Sequence, residues 1–173
     1  MKKVVLSLVL FAGVIAVSAQ PRAIGVRFGY STEVSYQHSL GSNMIQIDAG
    51  FPAFNSFQVV GTYNWIIPVS SWKHAGSWNL YTGVGAGAGI GWYNGYYLQY
   101  HGDYNYRYFS RVYGVLGVAG MFGAEYNFKF PLQVFADYRP LIGIALSNGE
   151  VWFHERGLYS IGIGARYRFP IKK

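Results

Sequence analysis

From Gly157 to Phe169 the chain reads GLYSIGIGARYRF, and its residue classes alternate. Tyr159, Ile161, Ile163, Ala165, Tyr167 and Phe169 fall on one side. Leu158, Ser160, Gly162, Gly164, Arg166 and Arg168 fall on the other. Successive side chains of a strand leave opposite faces, so this pattern predicts a β-strand. Two architectures accept it. A soluble sandwich turns the apolar side inward. A membrane barrel turns it outward and lines its lumen with the arginines.

Seven more stretches alternate in the same way. They are Ala23 to Ser31, Glu33 to Leu40, Met44 to Phe51, Ser56 to Trp65, Ser77 to Tyr93, about Val112 to Phe128, and Leu132 to Leu146. The fifth carries Gly83, Gly85, Gly87, Gly89 and Gly91 in step on one face. Such a ladder implies a wall that bends sharply or a close approach to that face, and a narrow lumen requires both. Pro140 lies inside the seventh stretch and predicts a bulge or local break. Eight is an even number, as in single-chain outer-membrane barrels, and puts both termini at one end. Three connections then fall at that end, near Gly41-Ser42, Ile67 to Gly76 and Lys129 to Pro131. Four fall at the other, near Ser31-Thr32, Pro52 to Asn55, Asn94 to Ser110 and Ser147 to Arg156.

The composition favours the barrel with its apolar side outward. Charged residues make up 12% of the chain and aromatics 19%, with 23 glycines among 173 residues. An average soluble domain is about one quarter charged. Aromatics gather at strand ends, as two lipid–water boundaries select. Trp65, Trp78, Tyr126, Phe128, Tyr167 and Phe169 mark one end, and Tyr30, Phe51, Phe57 and Trp92 the other. The rival is a soluble sandwich or lipocalin-like barrel.

Residues 1–19 read as a secretory signal: Lys2 and Lys3, an apolar run from Val4 to Val17, and Val17-Ser18-Ala19 as the cleavage site. The expected mature barrel spans residues 20–173. Loss of the leader lowers the formal charge from +7 to +5. No basic run suggests nucleic acid. The absence of cysteine excludes disulfides and thiolate zinc sites, and the four histidines lack metal-ligand spacing. No cofactor is expected, and the chain is expected to be a monomer.

With the leader, the eight strands and a last strand ending Gly164-Ala165-Arg166-Tyr167-Arg168-Phe169, the chain resembles small eight-stranded outer-membrane barrels of the OmpA/OmpX type. The resemblance implies an all-β, eight-stranded antiparallel up-and-down transmembrane β-barrel. It also implies that Gly164, Tyr167 and Phe169 carry the signal read by the barrel assembly machinery. Here Gly162 stands where that signal normally has a polar residue, and Pro170 to Lys173 follow the final aromatic. Such barrels include anchors, adhesion proteins and a few lipid-modifying enzymes, so the likeness speaks to architecture more than to role.

Alternation puts Glu33, Asp48, Glu125 and Asp137 in the lumen with Arg27, Arg139, Arg166 and Arg168. Buried charges must be paired, so a polar plug of ion pairs is expected. A narrow ion or proton path is the alternative. A lipid-modifying site at the rim would draw on Ser110, Ser147, His101, Asp103, His154 and Glu155. His154 and Glu155 are adjacent and on a strand would face opposite ways. The chain has no G-x-S-x-G elbow, so no enzyme is expected. Tyr96, Tyr97, Tyr100, Tyr104, Tyr106 and Tyr108 crowd the longest connection. Tyrosine suits recognition loops, and these six form a candidate surface for an extracellular protein or glycan. The fifth and sixth strands are expected to extend into this stretch as a hairpin turning near Gly102-Asp103. The reading is a non-enzymatic outer-membrane barrel, surrounded by outer-membrane lipid, with an envelope-structural or surface-interaction role.

Overall fold

The structure, a computed structural model, describes residues 22–52, 55–72, 75–100 and 104–169; of residues 95–100, 104–109 and 156 only the backbone is described. The leader and its cleavage site lie outside the described residues.

The strands are β1 (Arg22–Gly29), β2 (Ser31–Leu40), β3 (Asn43–Pro52), β4 (Ser56–Pro68), β5 (Ser77–Tyr100), β6 (Tyr104–Asn127), β7 (Leu132–Tyr138), β8 (Leu141–Ser147), β9 (Glu150–Phe153) and β10 (Ile161–Phe169), with a 3₁₀ turn at Glu155–Tyr159. Each strand pairs antiparallel with its neighbours, and β1 meets β10 to close the wall. β7 with β8 makes one wall strand and β9 with β10 another, so the barrel has eight. The expected eight antiparallel strands, closed up and down, are borne out.

The break between β7 and β8 lies at Arg139-Pro140, where proline has no N–H for the ladder. It is a break without a bulge. Phe122 faces Tyr138 on one side of it and Ala119 faces Leu141 on the other, so the register is kept. The Gly120 N–H still donates to the Pro140 carbonyl at 2.9 Å.

Two boundaries differ from expectation. The connection after β8 is a two-residue turn, not a loop of ten residues: Asn148 (φ 49°) and Gly149 (φ 84°) join the paired Ser147 and Glu150. Asn-Gly is the preferred pair where both central residues need positive φ. The last strand starts at Ile161 rather than Gly157, because Glu155–Tyr159 coils into the 3₁₀ turn. That turn lies close on β8. A Cβ on Gly157 would sit 2.3 Å from the Leu141 carbonyl oxygen.

The barrel is lopsided. β1 and β2 pair no further out than Arg27 and Glu33, whereas β5 and β6 pair without interruption from Ser77–Asn127 to Tyr100–Tyr104. The latter hairpin projects beyond the wall at the end opposite the chain termini. These two ends are called here the hairpin mouth and the terminal mouth.

Side chains sort by parity. Ile24, Val26, Val34, Ile45, Val59, Val84, Leu116, Val118, Val134, Ile142 and Ile163 are exposed on the outer face. Arg27, Glu33, Ser35, Gln46, Asp48, Asn64, Arg139 and Arg166 are buried inside. This is a soluble protein's distribution turned inside out.

Candidate functional site

The interior is built in register rows, in which large side chains alternate with glycine. One row runs Glu125, Phe135, Gly164, Arg27, Glu33, Gly50, Gln58, Gly89 and Val115 across successive strands. Another passes Arg166, Gly25, Ser35 and Asp48. With no side chain at Gly25, the Arg166 guanidinium crosses β1 and donates to the Ser35 hydroxyl at 2.8 and 3.0 Å. Ser35 in turn donates to Asp48. Elsewhere a ring lies directly on a glycine. Tyr81 covers Gly123, Phe135 covers Gly164 and Tyr113 covers Gly91, each within 2.4 Å of where a Cβ would stand. The glycines thus answer both demands read from the sequence: in β5, Gly85 meets the neighbouring backbone and Gly91 meets a ring.

Charge is concentrated at mid-depth. Arg139 donates to Asp48 at 2.6 Å and to Glu33 at 2.6 and 2.8 Å. Arg27 donates to Asp137 at 2.7 Å and to Glu33 at 3.3 Å. The Tyr81 hydroxyl donates to Asp137 at 3.4 Å. Arg166 reaches Asp48 only through Ser35, and its guanidinium carbon stands 3.6 Å from the centre of the Phe135 ring.

Two expected members of the ladder behave otherwise. Arg168 makes no ion pair among the described residues. It sits at the terminal mouth, where it donates to the Phe128 carbonyl at 2.6 Å. The Phe130 carbonyl of the same turn lies 3.5 Å from it. Glu125 is buried and also meets no cation within ion-pair distance among the described residues. It accepts from Asn79, Gln133, Gln37 and Asn127 at 2.9, 2.7, 3.3 and 3.3 Å. Four neutral amides replace the expected arginine.

Two apolar clusters flank the charged layer. Val60, Val115, Ala119, Leu141 and Ala145 cluster toward the hairpin mouth, and Met44, Tyr81 and Met121 toward the terminal one. Sorting the sequence by polarity misses these residues. Counting parity finds them: Tyr81 is in step with Gly83, and Phe135 with Gln133.

A cavity opens at each end. The terminal one, about 400 Å³, is lined mostly by residues of polar type, among them Gln37, Glu125, Asn127 and Arg168. The hairpin one, about 460 Å³, is lined by Tyr93, Tyr113, Trp152, Phe153, Asn55, Arg111, Glu150, His154 and Glu155. Arg111 reaches Glu150 at 2.6 Å, and the Tyr113 and Trp152 rings lie 6.1 Å apart, tilted by 56°. Nothing in the sequence pattern joined Arg111 to Glu150. Their meeting depends on the Asn148-Gly149 turn.

The expected separation of His154 and Glu155 is corrected: both line this cavity, because they enter the 3₁₀ turn rather than a strand. The Ser147 hydroxyl donates to the Val112 carbonyl at 2.7 Å, and Ser110 is exposed. His101 and Asp103 lie outside the described residues. For the six tyrosines the backbone alone is described: Tyr96 pairs with Tyr108, Tyr97 with Arg107, Tyr106 with Leu98, and Tyr100 with Tyr104. Among the described residues no group of three acidic or histidine side chains could hold a metal ion. Gly164 is packed under Phe135, while Tyr167 and Phe169 stand exposed on the outer face with ring centres 5.4 Å apart.

Comparison with known proteins returned no match among family models, curated proteins or solved structures.

Proposed function

We propose that this chain is a small integral outer-membrane barrel of the OmpA/OmpX type. In this reading its interior is plugged, it is not an enzyme, and it serves the envelope or its surface through the projecting hairpin. One observation carries the proposal: every wall strand turns apolar side chains outward over an interior of buried arginines and carboxylates. A monomeric soluble protein rarely exposes an apolar patch beyond a few hundred Å². A bilayer is the solvent that accepts such a belt, and closure of the wall satisfies the backbone polar groups within it.

The aromatics agree with this reading. Trp72, Trp78, Tyr126, Phe128 and Phe130 form a chain around the terminal end, with successive ring centres 5.3, 4.9, 4.7 and 4.9 Å apart. Rings with a polar handle favour the lipid–water boundary. The leader and the final strand supply export and delivery to the assembly machinery. The test is electrophoresis of outer-membrane fractions with and without boiling. A closed barrel keeps its ladder in detergent and migrates differently when unboiled. Identical migration, with the protein in the soluble periplasmic fraction, defeats the proposal.

A further inference from the structure

We propose that the cavity at the hairpin mouth is a binding site for an uncharged saccharide of one or two rings. Its volume, about 460 Å³, falls within the 300–1,000 Å³ or so of small-molecule sites. Its lining combines the two features that a sugar ring presents. A pyranose has apolar C–H faces and a rim of hydroxyl groups. Trp152 and Tyr113 offer aromatic surface side by side, and both Tyr93 and Trp152 are exposed. Amphipathic rings of this kind provide large, rigid contact area with a polar end.

Arg111 and Glu150 stand at the edge of that surface as a donor and an acceptor 2.6 Å apart. Their side chains are 46% and 63% exposed, so the pair contributes little stability of its own. Hydroxyl groups can therefore insert between or bridge the two at small cost. The charge of the lining selects among ligand classes. Among the described lining residues Arg111 shares the cavity with two carboxylates, Glu150 and Glu155, which disfavours an anion. The Arg111 guanidinium beside Glu150 repels a second cation in the same space, which weakens the case for a cation held in an aromatic cage. A neutral polyol meets neither obstacle.

The inference does not depend on where the cell places the barrel, and its test is separate from that of the proposed function. Purified protein in detergent, shown folded by its heat-modifiable migration, is examined by saturation-transfer NMR. The probes are maltose, lactose and N,N′-diacetylchitobiose, each up to about 10 mM. Choline chloride and sodium phosphate are tested in parallel. At least one disaccharide should give a saturable signal. Trp152→Ala should weaken it about tenfold or more, as loss of an aromatic anchor does. Trp152 lies on the short strand β9, so Glu150→Gln provides a second variant on an exposed side chain, and it should weaken binding severalfold. Three results overturn the proposal: no signal from any of the three sugars with folded protein, binding unchanged in both variants, or saturable binding of choline or phosphate where the sugars give none.

Discussion

At the scale of single residues, glycine and charge divide the interior between them. Gly123 makes room for the Tyr81 ring, whose Cζ would lie 2.3 Å from a new Cβ. Gly123→Ala should therefore destabilise the barrel by about 1–3 kcal/mol, the usual cost of overpacking. In a Tyr81→Leu background the same change should cost less, because the obstructing ring is gone. A double-mutant cycle on urea midpoints in lipid vesicles measures that coupling. Equal costs in both backgrounds would show that the ring is not what forbids a side chain there. Arg139 is the charge on which most depends, since it serves Glu33 and Asp48 together. Arg139→Met should lower stability by about 3–5 kcal/mol, as removal of one partner from a buried pair does. Arg168→Met should lower it far less, because Arg168 makes no ion pair among the described residues and binds turn carbonyls.

At the scale of elements, two hairpins on the same rim are built differently. β8 and β9 meet at Asn148-Gly149, and the Ser147–Glu150 pair flanks the turn. β5 and β6 run on to Tyr100–Tyr104. The long hairpin can be shortened to the pattern of the short one. Replacing residues 97–107 by Asn-Gly leaves Tyr96 and Tyr108, already partners, on either side of a two-residue turn. The shortened protein should assemble and keep its heat-modifiable migration, since among the described residues the excised stretch pairs only with itself. It should also lose any cell-surface interaction that the tyrosines carry. Failure to assemble would make the hairpin a structural element. The break at Arg139-Pro140 is of another kind. The chain keeps its register through it, and the Arg139 N–H bonds the Ser160 carbonyl at 2.8 Å, where the 3₁₀ turn ends. The interruptions in the two neighbouring wall strands thus satisfy each other.

At the scale of the whole molecule, the packed interior bears on transport. Arg27, Arg139, Arg166, Tyr81 and Leu141 are all buried to within 2% of full burial. An eight-stranded barrel is only wide enough for side chains to fill. Planar-bilayer recordings of the pure protein should show no stable channels, and large reproducible openings would contradict the proposal that the interior is plugged. Arg139→Ala, if it assembles, is the variant most apt to leak, because it empties space at the centre of the charged layer.

Period-two alternation in the sequence was enough for the strand number and the two faces, because each side chain's face follows from local backbone geometry alone. The closed antiparallel wall was legible only with the low charge, the aromatic bands and the resemblance of the last strand. Alternation also placed all four acids and Arg27, Arg139 and Arg166 on the inner face. The partners were decided by the tertiary structure. Which residues share a row depends on strand register, and register is set by the closure of the wall and by its turns. That is why Arg166 reaches Ser35 across Gly25, why four amides rather than Arg168 surround Glu125, and why Phe135 rests on Gly164. The hairpin-mouth cavity belongs to the same class. Arg111 and Glu150 are distant in the chain, and only the fold of β9 and the 3₁₀ turn brings them, with Trp152 and His154, around one space.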